Sequence, residues 1–191
     1  MKKFLSFIKI IRPLNVLSSG IAILFSSFIS DYQGSLEQIL MPILVVVFFT
    51  IGANVLNDYF DYYTDKINRP DRSIVKGDIT REQALYLSLI SFIIGIYFAL
   101  RLSSDSQIIS LGISLPLLFL YNAKIKNYPL IGNIIVSIII GLSFIYAGVV
   151  FENVKPLIVP SLLAFGLTLI REVVKDIADF KGDEAIGART L

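Results

Sequence analysis

Six long stretches of this chain carry almost no charge, and a water-soluble fold has nowhere to put them. They run Pro13–Ser30, Gln38–Asn57, Ala84–Leu100, Ser106–Ala123, Pro129–Phe151 and Pro156–Ile170. A bilayer core about 30 Å thick takes about 20 apolar helical residues to cross. One such stretch could be the core helix of a soluble domain, but six among 191 residues leave too little polar surface to cover them. Only 17% of the residues are charged, against roughly a quarter in an ordinary soluble domain. The chain is therefore expected to be an all-α, polytopic transmembrane bundle. The sixth stretch is short, and it is expected to continue as helix through Arg171.

The basic residues give the orientation. The amino terminus has Lys2, Lys3, Lys9 and Arg12; the second connection has Lys66, Arg69, Arg72, Lys76 and Arg81. The fourth has Lys124 and Lys126, and the carboxy-terminal region has Arg171, Lys175, Lys181 and Arg189. These alternate segments share one side of a six-span chain and hold 15 of its 17 basic residues, leaving Arg101 and Lys155 for the other. The positive-inside bias makes the crowded side, with the amino terminus, cytoplasmic. The basic amino terminus lacks a small-residue cleavage site of the kind that ends a signal peptide.

With neither cysteine nor histidine, the chain has no thiolate chemistry, no imidazole base and none of the usual zinc ligands. A metal would have to be bound by oxygen, which suits a hard cation. The oxygen ligands come in two sets. The second stretch runs into NDYFDYYTD, with Asn57, Asp58, Asp61 and Asp65, and the sixth into DIADFKGD, with Asp176, Asp179 and Asp183. In both sets the aspartates are spaced by three residues and then four, which puts them on one helix face. Like charges that close need a cation to coexist. Mg2+, held by a few carboxylates and by the oxygens of a phosphorylated substrate, meets that need. The repeated spacing, offset by 118 residues and four spans, also points to two related halves. An ion pathway would place carboxylates deep within spans, whereas these lie at span ends. A CDP-alcohol phosphotransferase would show a DGxxAR segment, and there is none.

Several basic and polar residues suit phosphate oxygens. Arg69, Arg72 and Lys76 lie in KINRPDRSIVKGDITRE, where a helix is expected to restart near Thr80. Tyr121, Lys124 and Lys126 end the fourth stretch, and Arg12 and Asn15 open the first. Arg171, Lys175 and Arg189 surround the second acidic set and are candidates for an anionic acceptor.

These motifs resemble those of the UbiA superfamily of intramembrane prenyltransferases. Its NDxxDxxxD signature stands at Asn57–Asp65 and its DxxxD signature at Asp179–Asp183. NRPDRSIVKG resembles its NRPxRPxxxG loop with Ser73 in place of a proline, and IRPLN resembles its first-helix arginine motif. A family tyrosine precedes a lysine by four residues, a spacing that Lys124 and Lys126 flank here. The resemblance implies one transmembrane domain over residues 1–191, six of about nine spans, with the closing helices expected beyond GDEAIGARTL. It also implies a prenyl diphosphate donor, a lipid-like acceptor, Mg2+ as cofactor and no nucleic-acid partner. Asp61, Asp65, Asp179 and Asp183 are the implied catalytic carboxylates. The string IRPLN…NDYFDYYTDKINRPDRSI most resembles the branch that moves geranylgeranyl from its diphosphate to geranylgeranylglyceryl phosphate, forming an ether bond of archaeal lipids. Members with aromatic acceptors share the donor motifs.

Overall fold

Ser35 and Thr80 each begin a helix with a reciprocal cap. The Ser35 hydroxyl accepts from the Gln38 backbone N–H, and the Gln38 carboxamide oxygen accepts from that of Ser35. Thr80 and Gln83 repeat the arrangement. Two otherwise orphaned donors are satisfied at each helix start, as the restart expected near Thr80 requires.

The computed structural model describes the backbone of residues 2–128 and 130–184, and the side chains there except those of Lys2, Asn127 and residues 178–184. The elements run α1 (Lys2–Ile11), α2 (Pro13–Ile29), α3 (Leu36–Phe60), α4 (Tyr62–Asn68), α5 (Arg81–Ala99), α6 (Ser104–Gln107), a π-helical segment (Ile108–Ser114), α7 (Leu115–Ala123), a 3-10 turn (Ile125–Asn127), α8 (Ile131–Val150), a second 3-10 turn (Lys155–Leu157) and α9 (Ile158–Glu184). The described residues are helical or connecting, with no strand among them.

Five segments are long and apolar enough to cross a membrane: Leu36–Phe60, Arg81–Ala99, Ser104–Ala123, Ile131–Val150 and Lys155–Ile177. This is an integral membrane architecture, as the sequence indicates. The expected first span, Pro13–Ser30, is α2, whose 17 residues follow α1 across a bend of 43°, and the two together are long and apolar enough to be a sixth crossing. Arg12 makes the bend. It adopts φ 56°, and Pro13 follows it and opens α2 in the favoured first position. The sixth expected span does continue as helix beyond Arg171, through to Glu184.

In the fourth span the π-helical turn ends two residues before Pro116. A regular helix would drive that proline ring against the carbonyl four residues back. A widened turn accommodates it.

The chain forms two compact units. One holds the residues up to Phe25 together with Gln33–Ser103; the other holds Ser26–Tyr32 and the residues from Ser104 onward. In the first unit, α3 and α5 pack through glycines. A Cβ at Gly52 would lie 2.9 Å from the Phe92 ring, and one at Gly95 would lie 2.5 Å from Phe49. The Ser88 hydroxyl donates to the Gly52 carbonyl at 2.8 Å. In the second unit, Gly141 and Ser161 bring α8 and α9 together by the same means, with a 2.8 Å bond from the serine hydroxyl to the glycine carbonyl. Small residues and hydroxyl bonds of this kind join helices in lipid, where apolar burial gives little drive.

Candidate active site

The first unit carries a small buried cluster formed by α1, the end of α3 and the α4–α5 connection. Ile10, Val55, Ile74, Ile79 and Ala84 are buried together, with Phe7, Ile11 and Tyr62 packed against them. This anchors the 69–79 loop beside the first acidic motif. The Ser6 hydroxyl donates to Asp78 at 3.1 Å, the Ser73 hydroxyl to the Ser6 carbonyl at 3.3 Å, and Lys9 Nζ to the Asp71 carbonyl at 3.1 Å.

Arg12 sits at the junction of α1 and α2, where the Asn54 carboxamide donates to the Ile11 carbonyl at 3.0 Å. A left-handed backbone costs a non-glycine residue roughly 1–2 kcal/mol. Such positions persist where surrounding contacts fix them, and here the contacts are polar. Arg12 Nη2 donates to Asp58 Oδ1 at 2.6 Å and to Asn57 Oδ1 at 3.1 Å. Arg72 Nη1 donates to the same Asp58 oxygen. Asp58 is 3% exposed, so two guanidiniums offset one desolvated carboxylate. A cavity of about 260 Å³ opens here, lined by Lys9, Ile10, Arg12, Asp58, Arg72 and Ser73. Three cationic side chains and one carboxylate line it, so its charge is net positive.

The helix is interrupted at Asp61, whose ψ is 4°, but its hydrogen bonding carries through. Asp61 N–H donates to the Asn57 carbonyl at 2.9 Å, and Asp65 N–H to the Asp61 carbonyl at 2.7 Å. The three aspartates consequently share the inner side, as their spacing requires. Asp58 and Asp65 are buried and Asp61 half-buried, while Phe60, Tyr63 and Thr64 are exposed. Burial pushes the Asp65 carboxyl above its ordinary value. Arg72 and Arg69 oppose that rise, and the charges of Asp61 and Asp58 add to it.

Of the other expected phosphate ligands, Arg69 is half-buried at the end of α4. Lys76 pairs with Asp71 at 2.6 Å on the surface, and this lysine holds the Asp71 carboxyl below its usual range. Asn15 is exposed on α2. In the second unit, Tyr121 is half-buried at the end of α7, Lys124 is exposed, and Lys126 is half-buried in the following 3-10 turn. Arg171 and Lys175 both turn to the buried Glu172, Lys175 at 3.4 Å. Asp176 accepts from the Asn133 carboxamide at 2.7 Å. Asp179 and Asp183 lie on α9 with their side chains outside the described residues, and Arg189 lies outside them altogether.

The model of the UbiA prenyltransferase family matches residues 19–191. The chain belongs to that family. A curated relative, digeranylgeranylglyceryl phosphate synthase of Pyrococcus horikoshii, is 37% identical over 188 residues, covering 97% of this chain and 67% of the relative. The chain thus spans about two thirds of that protein's length. A solved structure concerning digeranylgeranylglyceryl phosphate synthase in membranes superposes with a TM-score of 0.86 at 32% identity, covering all of this chain and 68% of that one. A UbiA homolog from Archaeoglobus fulgidus, solved with GPP and Mg2+, shares the fold with a TM-score of 0.71 at 16% identity, covering 97% of this chain and 67% of that one. The resemblance drawn from the motifs therefore holds, and the chain is a prenyltransferase-family membrane protein.

The family's first acidic motif is well suited here to a hard cation. Its donors are all oxygens, and mutual repulsion among buried carboxylates is the strain that a divalent ion relieves. Among the described residues no three carboxylates form a preassembled metal cage. Within the motif, Asp58 is paired with two guanidiniums, those of Arg12 and Arg72.

Four contributors escaped the sequence analysis. Lys9 looked like part of a topogenic charge run yet lines the cavity. Asn133 and Asn54 each secure a site residue or its backbone, and the available signal was a carboxamide inside an apolar stretch, where polar side chains need partners. Glu172 gave no spacing signal at all.

Proposed function

We propose that this protein transfers a geranylgeranyl group from geranylgeranyl diphosphate to the free hydroxyl of geranylgeranylglyceryl phosphate, with Mg2+ as cofactor. The observation that carries the proposal is the convergence of Arg12 and Arg72 on buried Asp58, beside Asp61 and Asp65. This arrangement offers guanidiniums to phosphate oxygens and carboxylates to a hard cation within one motif. The name of the 37%-identical relative favours the glyceryl phosphate acceptor over an aromatic one.

Lys9, Arg12 and Arg72 face the donor's diphosphate. Asn57, Asp58, Asp61 and Asp65 of the first motif would hold a cation, and Asp176, Asp179 and Asp183 of the second are proposed as metal ligands too. Bound magnesium would neutralise the charge that develops on the departing diphosphate. The allylic carbon–oxygen bond breaks with its electron pair going to diphosphate. The acceptor hydroxyl then forms the new carbon–oxygen bond and loses its proton. With no histidine in the chain, that proton passes to a carboxylate or to the released diphosphate. Apolar helices exclude water, which would otherwise capture the prenyl cation. Arg171, Lys175 and Arg189 are assigned to the acceptor's phosphate. The acidic motifs and the basic connections are assigned to the cytoplasmic side, a reading that the basic-residue distribution supports.

The test is incubation of the purified protein with labelled geranylgeranyl diphosphate and either geranylgeranylglyceryl phosphate or 4-hydroxybenzoate. Labelled diether from the first acceptor alone supports the proposal. Product from 4-hydroxybenzoate and none from the glyceryl ether rejects it.

A further inference from the structure

Arg81 opens α5 where a cation is least welcome, because the first turn of a helix carries the positive end of the backbone dipole. Capping does not explain it, since Thr80 and Gln83 already satisfy that end. Its guanidinium lies instead over three rings, 4.7 Å from the centroid of Tyr59, 5.3 Å from Tyr62 and 5.6 Å from Tyr63. Its Nη2 reaches the Tyr59 carbonyl at 3.5 Å, and its Nε is buried without a hydrogen-bond partner. A guanidinium held this way is held by aromatic faces.

The three tyrosines are among the residues interleaved with Asp58, Asp61 and Asp65. Tyr59 belongs to α3, and Tyr62 and Tyr63 belong to α4. One cation from α5 therefore touches residues on both sides of the helix break at Asp61. Lys66 extends the stack, 4.6 Å over the Tyr62 ring.

We propose that Arg81 is a positioning residue for the metal site, stacking on tyrosines on both sides of that break to set the angle between α3 and α4 and so the placement of Asp61 and Asp65. This rests on the proposed function, in which those aspartates hold Mg2+. The competing account is an interfacial belt, in which tyrosines and a snorkelling arginine grip the membrane surface and leave metal affinity untouched.

Manganese binding to the full chain in detergent, followed by electron paramagnetic resonance, separates the two, since Mn2+ suits the same oxygen ligands. Arg81→Gln should weaken Mn2+ binding by about 10-fold or more, the scale of supporting residues around a metal site. Arg81→Lys should recover most of the loss, because an ammonium still stacks on the rings. Tyr59→Phe should bind as wild type and Tyr59→Leu should not, a comparison that stands even if Arg81→Gln folds poorly. Wild-type affinity in both Arg81→Gln and Tyr59→Leu, whatever their melting temperatures, would overturn the inference and leave the proposed function intact. A wild-type chain that binds neither Mn2+ nor Mg2+ would remove the metal site itself, and this inference with it.

Discussion

Arg12 and Asp58, 46 positions apart, meet at 2.6 Å across the junction of the first two helices. The arginine does so from a left-handed backbone, and Arg72 completes the pair of guanidiniums on a carboxylate that is almost wholly buried. A desolvated charge is tolerated only with partners, and stripping them is costly.

The double variant Arg12→Gln, Arg72→Gln should therefore be destabilised by about 3–5 kcal/mol, the scale of an orphaned buried charge. Each single variant should lose clearly less, because one guanidinium remains. Adding Asp58→Asn to the double variant should restore part of the loss. Unfolding in detergent, followed through tyrosine absorbance, gives all four values. Equal stability of the double variant and wild type would contradict the pairing.

Asp65 should behave in the opposite way. Its carboxyl is raised in the folded chain, chiefly by burial, so the folded state holds its proton more tightly than the unfolded state does. Its contribution to stability is full below the ordinary value of 3.8, falls as pH climbs through the folded value, and stays low above it. Without metal at pH 7, Asp65→Asn should accordingly melt higher than wild type. With Mg2+ added, wild type should gain stability by mass action and the variant should gain less. A variant that melts lower without metal would contradict this assignment of Asp65.

The Asn133 bond to Asp176 gives a prediction in the second unit. Asn133→Ala should free that carboxylate and lower activity by about 10-fold, at the lower end of effects for groups that orient metal ligands. Asn133→Asp, which places a like charge beside Asp176, should be worse. Steady-state turnover at several Mg2+ concentrations checks both, and a loss that excess Mg2+ does not ease would show that the bond serves packing alone.

Lys175 tests the acceptor side. Its ammonium lies 3.4 Å from the buried Glu172 and is half exposed, so it can reach a ligand as well as the carboxylate. Lys175→Gln should raise the Michaelis constant for geranylgeranylglyceryl phosphate several-fold more than that for the donor. Equal effects on the two substrates would move this lysine to the donor diphosphate.

Hydropathy made the crossings legible because a helix in lipid must be apolar over its whole length. It left out α1, which carries lysines among Phe4, Leu5, Phe7 and Ile8, because a charged apolar helix reads as a tail. The shared face of Asp58, Asp61 and Asp65 was legible because local spacing determines it. The contacts of Arg12 and Asn133 were not, since they join residues 46 and 43 positions apart and depend on how helices pack. The tyrosines between the aspartates filled unspecified motif positions, and nothing along the chain linked them to Arg81.

The most direct measurement is magnesium-dependent release of diphosphate from geranylgeranyl diphosphate in the presence of the glyceryl phosphate acceptor. The account predicts no release in EDTA, full recovery on adding Mg2+, and a loss of about 100-fold or more in Asp61→Ala and Asp65→Ala alike, because ligands of one metal site act as a unit. Release that persists in EDTA, or Asp61→Ala and Asp65→Ala proteins that extract normally and retain more than about a tenth of wild-type turnover, would contradict it.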